Sequence, residues 1–115
     1  MERRRGPRIR SRLPLTVRRG NAFEVAETLD LSCLGAYCRL RRPLSEMTRL
    51  QIVLSLPPED GGGPEARVVC DGVVVRSESR GDGDHRIAIF FDGIPEAEKE
   101  KLSRFIARRQ PAVAE

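Results

Sequence analysis

From Leu13 onward apolar residues recur at every second position, the mark of strands with one buried face. Leu13, Leu15 and Val17 alternate with Pro14, Thr16 and Arg18, and Arg19-Gly20-Asn21 supplies a turn. Phe23 and Val25 open a second strand that continues through Thr28 to Leu31; Gly35 closes it, and Ala36 to Leu40 return as a third, making a hairpin. The plainest strand follows, where Leu50, Ile52, Leu54 and Leu56 alternate with Gln51, Val53 and Ser55. Pro57-Pro58 ends it, and Glu59 to Pro64, with three consecutive glycines, reads as a loop. Ala66 to Ser79 is a long β-branched run containing Gly72, which permits a bulge or a sharp bend where a sheet curls into a barrel. Gly81-Asp82-Gly83-Asp84 then turns the chain into His85 to Phe91, with Ile87, Ile89 and Phe91 on one face.

The period changes once. Pro95 stands at the first helical position, Glu96, Glu98 and Glu100 come early and Arg104, Arg108 and Arg109 late, an order that suits the helix dipole. Leu102, Phe105 and Ile106 form one narrow apolar stripe, fit to cap an open barrel end. Six short strands followed by one helix predict an all-β fold with a terminal helix: a small six-stranded antiparallel β-barrel over residues 13–110, preceded by a flexible arm over 1–12 and followed by a tail over 111–115. At 115 residues there is room for one such domain and a modest core.

Charge sharpens this picture because it is so unevenly placed. Residues 1–20 hold eight arginines against Glu2, a net +7, while the remainder carries 13 basic and 16 acidic groups, a net −3. The arm contains no lysine, and arginine is the side chain suited to planar, bidentate contact with phosphate or a guanine edge. Gly6-Pro7 interrupts any helix there, so order in the arm is expected to come from a ligand. With no apolar run long enough to span a bilayer and no apolar segment behind the N-terminal charges, the reading is a soluble, cytoplasmic protein without a membrane role. Cys33, Cys38 and Cys70 form no CxxC pair and His85 is the single histidine, so neither zinc nor another metal or cofactor is expected. Neither is an enzyme: no nucleophile stands beside a base, and Gly61-Gly62-Gly63 lacks the Lys-Ser/Thr and the helix of a phosphate loop.

The chemistry concentrates in two short stretches. On a strand Asp30 and Ser32 point to the same face, placing a carboxylate beside a hydroxyl, and Gly35 then allows a positive backbone angle or a close approach of a ligand. Asp, Ser and Gly also commonly just end a strand and turn. Arg4 and Arg8, ahead of the first strand, can fold over that face. Guanine uses all of these groups: O6 and N7 accept a bidentate arginine, N1–H and N2–H suit a carboxylate, and the ring stacks on a guanidinium.

Arg4-Arg5-Gly6-Pro7-Arg8 fits RxxxR and Asp30-Leu31-Ser32-Cys33-Leu34-Gly35 fits [DN]xSxxG, and in order and spacing the pair resembles the two signatures of PilZ domains, receptors for the bacterial second messenger cyclic di-GMP. The resemblance covers nearly the whole chain and implies the same six-stranded split barrel with a C-terminal helix. It implies that Arg4 and Arg8 grip guanine and phosphate, that Asp30 binds a guanine edge, that Ser32 contacts the ligand and that Gly35 shapes the turn. It adds Arg3, an arginine associated in the family with a stacked, intercalated pair of ligand molecules, and Arg5 beside it. Gly6 departs from the aromatic residue frequent at that position. The resemblance also implies an unidentified downstream protein partner. Two other readings stand beside it: a PilZ-like interaction module that works without nucleotide, and a small barrel that binds nucleic acid. The second is disfavoured by composition, since alternation is expected to put most of Phe23, Tyr37, Phe90, Phe91 and Phe105 in the core.

Overall fold

The structure is a computed structural model that describes residues 8–58, 63 and 65–109. Its elements are β1 (Arg8–Arg10), β2 (Pro14–Arg19), β3 (Ala22–Ser32), β4 (Gly35–Leu40), β5 (Arg49–Leu56), β6 (Ala66–Ser79), β7 (His85–Gly93) and α1 (Glu96–Arg109). All strand pairs are antiparallel. The order β3-β2-β5-β6-β7-β4 closes on itself through the β3–β4 pairing, which makes a six-stranded barrel. The alternation read from the sequence is what fills it: Leu15, Ile52, Leu54, Val74 and Ile87 all point inward and are fully buried.

Strand β1 is additional to the predicted set. It lies inside the 1–12 segment read as an arm, and pairs Arg8, Ile9 and Arg10 with Ser32, Leu31 and Asp30. Ile9 explains it, since one apolar side chain between two arginines is enough to bury a residue against Leu31 and seat the strand. β1 and β2 thus run along the same edge of β3, interrupted at Ser11–Leu13. Buried Thr28 fills the gap: its hydroxyl donates to the Ser11 carbonyl and accepts from the Leu13 N–H at 2.9 Å, and its own N–H donates to the Leu13 carbonyl at 2.9 Å.

Immediately after Thr28 the β3–β4 register slips, so that Thr28 faces Cys38 and Asp30 faces Tyr37. The extra residue is Leu29. Before it the buried positions of β3 are even-numbered, Ala26 and Thr28; after it Leu31 is the buried one. This bulge is what aims Asp30 and Ser32 outward. The β6–β7 ladder carries two further slips, one opposite Gly72, where the extra residue is on β7, and one between Val74 and Arg76, where it is on β6. At Gly72 a Cβ would lie 2.7 Å from Ile52 Cδ1 and 2.8 Å from Ile89 Cγ2, so the expected bend is also a tight crossing in the core.

Helix α1 packs against β6, β3 and β1 with Leu102 and Ile106 buried. It begins one residue later than the sequence suggests, because the Pro95 carbonyl accepts the first helical bond, from Lys99 N–H at 2.9 Å. Glu98 ties the helix to the barrel by accepting the Val69 N–H at 2.8 Å, and Lys101 donates to the Arg67 carbonyl at 2.8 Å. No helix among the described residues is long and apolar enough to cross a membrane.

Burial pushes the Cys38 thiol from 9.0 up to about 12, and burial together with Asp71, Glu98 and Asp92 does the same to Cys70. Between pH 9 and 12 the unfolded chain gives up thiol protons that the folded chain keeps. Stability is therefore untouched by these groups below that window and falls as pH rises through it. We expect the melting temperature to drop steadily across that range, and Cys38→Val to flatten the drop; an unchanged slope in Cys38→Val would show that the thiol is not responsible.

Candidate functional site

Arg8, Asp30, Ser32 and Gly35 come together at one depression of about 580 Å³ on the outer face of β3, β4, β7 and β6. Arg3, Arg4 and Arg5, named from the sequence, lie outside the described residues. Arg8 reaches the site because β1 is paired to the end of β3: Arg8 stands opposite Ser32, and its Nη2 is 3.7 Å from Asp30 Oδ2. Both side chains are partly exposed and the separation exceeds a hydrogen bond, so the pair is weak, worth about 0–1 kcal/mol. Its effect is to hold a guanidinium fork and a carboxylate side by side with most of their hydrogen-bonding capacity open.

Ser32 already has a structural task. Its Oγ accepts the Leu34 N–H at 3.1 Å and donates to the Gly35 carbonyl at 3.5 Å, which folds Cys33 and Leu34 into the turn between β3 and β4. The turn-forming reading of this serine therefore holds, whatever else the hydroxyl touches. Gly35 does not take the positive backbone angle offered for it, and the demand on it comes from within the sheet as well as from the depression that it lines. Its φ is not in the left-handed region, and what a Cβ would strike is the neighbouring strand: the Ile89 carbonyl oxygen would lie 2.1 Å away. Glycine is required here so that β4 can approach β7.

Three further side chains shape the depression that the motifs alone do not reveal. Tyr37, opposite Asp30, is fixed by its hydroxyl, which donates to Glu78 Oε1 at 2.8 Å. That bond, with Arg80 and Arg76, holds the Glu78 carboxyl below the ordinary carboxylate range. Phe90 and Arg76 stand on the far side of the depression. Phe90 was legible in principle, because Ile87, Ile89 and Phe91 facing inward forces Phe90 outward; it is 44% exposed. Arg76 was not, since the β6 bulge breaks the alternation. The expectation that most aromatics are core is overturned: Phe91 alone is buried, Phe23 is 71% exposed, and Tyr37 and Phe105 are half-buried.

A wider depression, about 850 Å³, lies around Phe23, Val25, Arg39, Arg42 and Asp82. Its polar groups largely satisfy one another: Arg39 pairs with Glu27 at 3.1 Å and the Arg42 N–H donates to Glu24 at 3.2 Å. The motif depression is smaller but carries open hydrogen-bonding groups of both signs, and it is the better candidate. Among the described residues no group of His, Cys, Asp or Glu side chains is arranged to hold a metal ion.

The family described as PilZ domain matches residues 2–108. No curated protein sequence matches the chain. Several solved structures share the fold. The inhibitor of motility MotI (DgrA) of Bacillus subtilis superposes with a TM-score of 0.81 at 18% identity over 95% of this chain, which spans 52% of MotI. The PilZ domain of YcgR from Escherichia coli, solved with c-di-GMP, gives 0.69 at 20% identity over 92% of this chain and 90% of that one. The PilZ domain of CeSA from a cellulose-synthesizing bacterium gives 0.62 at 23% identity, covering 88% and 95%.

Proposed function

The chain belongs to the PilZ domain family, and on that premise we propose that it is a cyclic di-GMP receptor whose ligand lies in the depression between Arg8 and Asp30. The observation that carries this reading is the pairing of β1 with β3, which sets the second arginine of RxxxR against the carboxylate of [DN]xSxxG. Guanine meets that pair with complementary edges. The Arg8 fork donates to O6 and N7 while Asp30 accepts from N1–H and N2–H, two contacts that the same base makes at once. The YcgR domain that shares this fold was solved with c-di-GMP.

In this reading Arg4 joins Arg8 on the guanine and phosphates, and Arg3 and Arg5 supply further cations, enough for an intercalated pair of ligands. Closure of the segment that precedes β1 over the nucleotide neutralises part of the +7 carried by residues 1–20 and makes a new surface for a downstream protein. The function is therefore binding and relay, with no catalytic step and no cofactor beyond the ligand.

Calorimetric titration with cyclic di-GMP tests this directly. A saturable exchange of heat is expected, weakened at least tenfold in Arg4→Ala; its stoichiometry reads one ligand or two. No heat and no chemical-shift change on adding cyclic di-GMP would overturn the reading in favour of an interaction module that works without nucleotide. A steep salt dependence for RNA or DNA, with the same silence toward cyclic di-GMP, would favour the nucleic-acid barrel.

A further inference from the structure

One cross-strand row runs the width of the depression: Asp30 on β3, Tyr37 on β4, Ala88 on β7 and Arg76 on β6, each opposite the next. Both ends of the row directly follow a register slip, at Leu29 for Asp30 and between Val74 and Arg76 for Arg76. The second slip leaves two consecutive residues, Val75 and Arg76, exposed where strict alternation would hide one of them. Between the ends the floor is low, because Gly35 and Ala88 have almost no side chain.

The far wall is costly as it stands. Val75 is 52% exposed and Phe90 44%, an apolar edge facing water inside a concave surface. Beside it Arg76 makes no hydrogen bond or ion pair with any of the described residues. The carboxylate whose charge it feels, Glu78, is already engaged by the Tyr37 hydroxyl at 2.8 Å and by Arg80 at 3.3 Å. A guanidinium with no hydrogen-bond acceptor among the described residues, next to an exposed ring, repeats at the opposite end of the row the demand for a flat ligand with acceptor atoms. The row spans three interstrand steps, about 14 Å, more than one purine covers.

Resting on the reading above, we propose that Arg76 and Phe90 form a second anchor of the same depression, which takes the other nucleotide of a two-base ligand while Arg8 and Asp30 hold the first. Arg76 donates to phosphate or to the acceptor edge of that second nucleotide, and Phe90 covers its ring. The site then selects for a dinucleotide by its length.

Amide chemical shifts and calorimetry with cyclic di-GMP, on the whole chain, test this. In the native protein the amides of Val75, Arg76 and Phe90 are expected to move together with those of Asp30 and Ser32. In Arg76→Ala affinity falls about tenfold or more, and at saturation the Val75 and Phe90 shifts shrink while those of Ser32 and Gly35 persist. Arg76 is exposed, so an unchanged melting temperature is expected to accompany the loss. Unaltered affinity in Arg76→Ala, or still amides at Val75 and Phe90 in the native titration, overturns the second anchor provided Asp30→Ala abolishes binding. If Asp30→Ala binds normally, the reading of the site itself fails and takes this inference with it.

Discussion

Asp30→Ala is expected to weaken cyclic di-GMP binding by about 100-fold, roughly 2.7 kcal/mol. The magnitude follows from what the carboxylate supplies: two charge-assisted acceptors for N1–H and N2–H, and the counter-charge that steadies the Arg8 fork. Both groups are partly exposed on the outer face, so the fold should survive. Asp30→Asn keeps one acceptor in place and is expected to fall between the native protein and the alanine variant. Calorimetry separates the three. An Asp30→Ala affinity within about threefold of native would sink the assignment of this carboxylate to the guanine edge.

The largest expected effect on folding is at Gly35. In Gly35→Ala the new methyl group would sit 2.1 Å from the Ile89 carbonyl oxygen, 3.2 Å from its carbon and 3.4 Å from Phe90 Cα, all backbone atoms. No side-chain rotation relieves this. β7 must move, which breaks the ladder between Ala36 and Ile89 and the 2.8 Å bond from Phe91 N–H to the Leu34 carbonyl. A loss of about 3 kcal/mol and a fall in Tm on the order of 10 °C are expected. Gly72→Ala should cost less, since its closest neighbour is the end of the Ile52 side chain at 2.7 Å and the nearest backbone atom, the Phe90 carbonyl oxygen, stands off at 3.0 Å, although the stiff Ile89 Cγ2 at 2.8 Å must also give way. Thermal melts of the two variants decide the point; a Gly35→Ala melt within about 2 °C of native would mean that β4 and β7 separate at little cost.

The barrel was legible because six of its strands announce themselves by two-residue alternation, and α1 by its acidic start and basic end. What the alternation could not announce were the places where it breaks. Leu29 looks like any apolar residue in a strand, and nothing in Thr28-Leu29-Asp30 marks it as the extra one; its placement depends on Thr28 being held by Ser11 and Leu13, residues that are distant in the chain. β1 escaped for a related reason, since a strand of three residues with one apolar side chain is indistinguishable from a charged arm until its partner is known. The site was half legible. Asp30, Ser32, Gly35 and Arg8 carry a spacing that points to them, whereas Tyr37, Arg76 and Phe90 are joined to them by strand register, a property of the sheet. The packing demand on Gly35 was not legible, because the neighbour that imposes it, the Ile89 carbonyl, lies 54 positions away.

The bulge at Leu29 gives β3 two independent reading frames. In the first, Phe23, Val25 and Glu27 face out; in the second, Asp30 and Ser32 do, and the one-residue offset between them is held by a buried threonine rather than by anything near the ligand. Substitutions along the strand can tune the site but cannot rotate it into the barrel, whereas pairing Leu29 in regular register, without the slip, would put the carboxylate among the core side chains and bring Leu31 to the surface; deleting Leu29 would instead leave Asp30 outward in plain alternation from Thr28. Nucleotide recognition on this scaffold is therefore a matter of strand register as much as of side-chain identity, since the same residues paired without the slip at Leu29 would present an apolar face where this strand presents a charge.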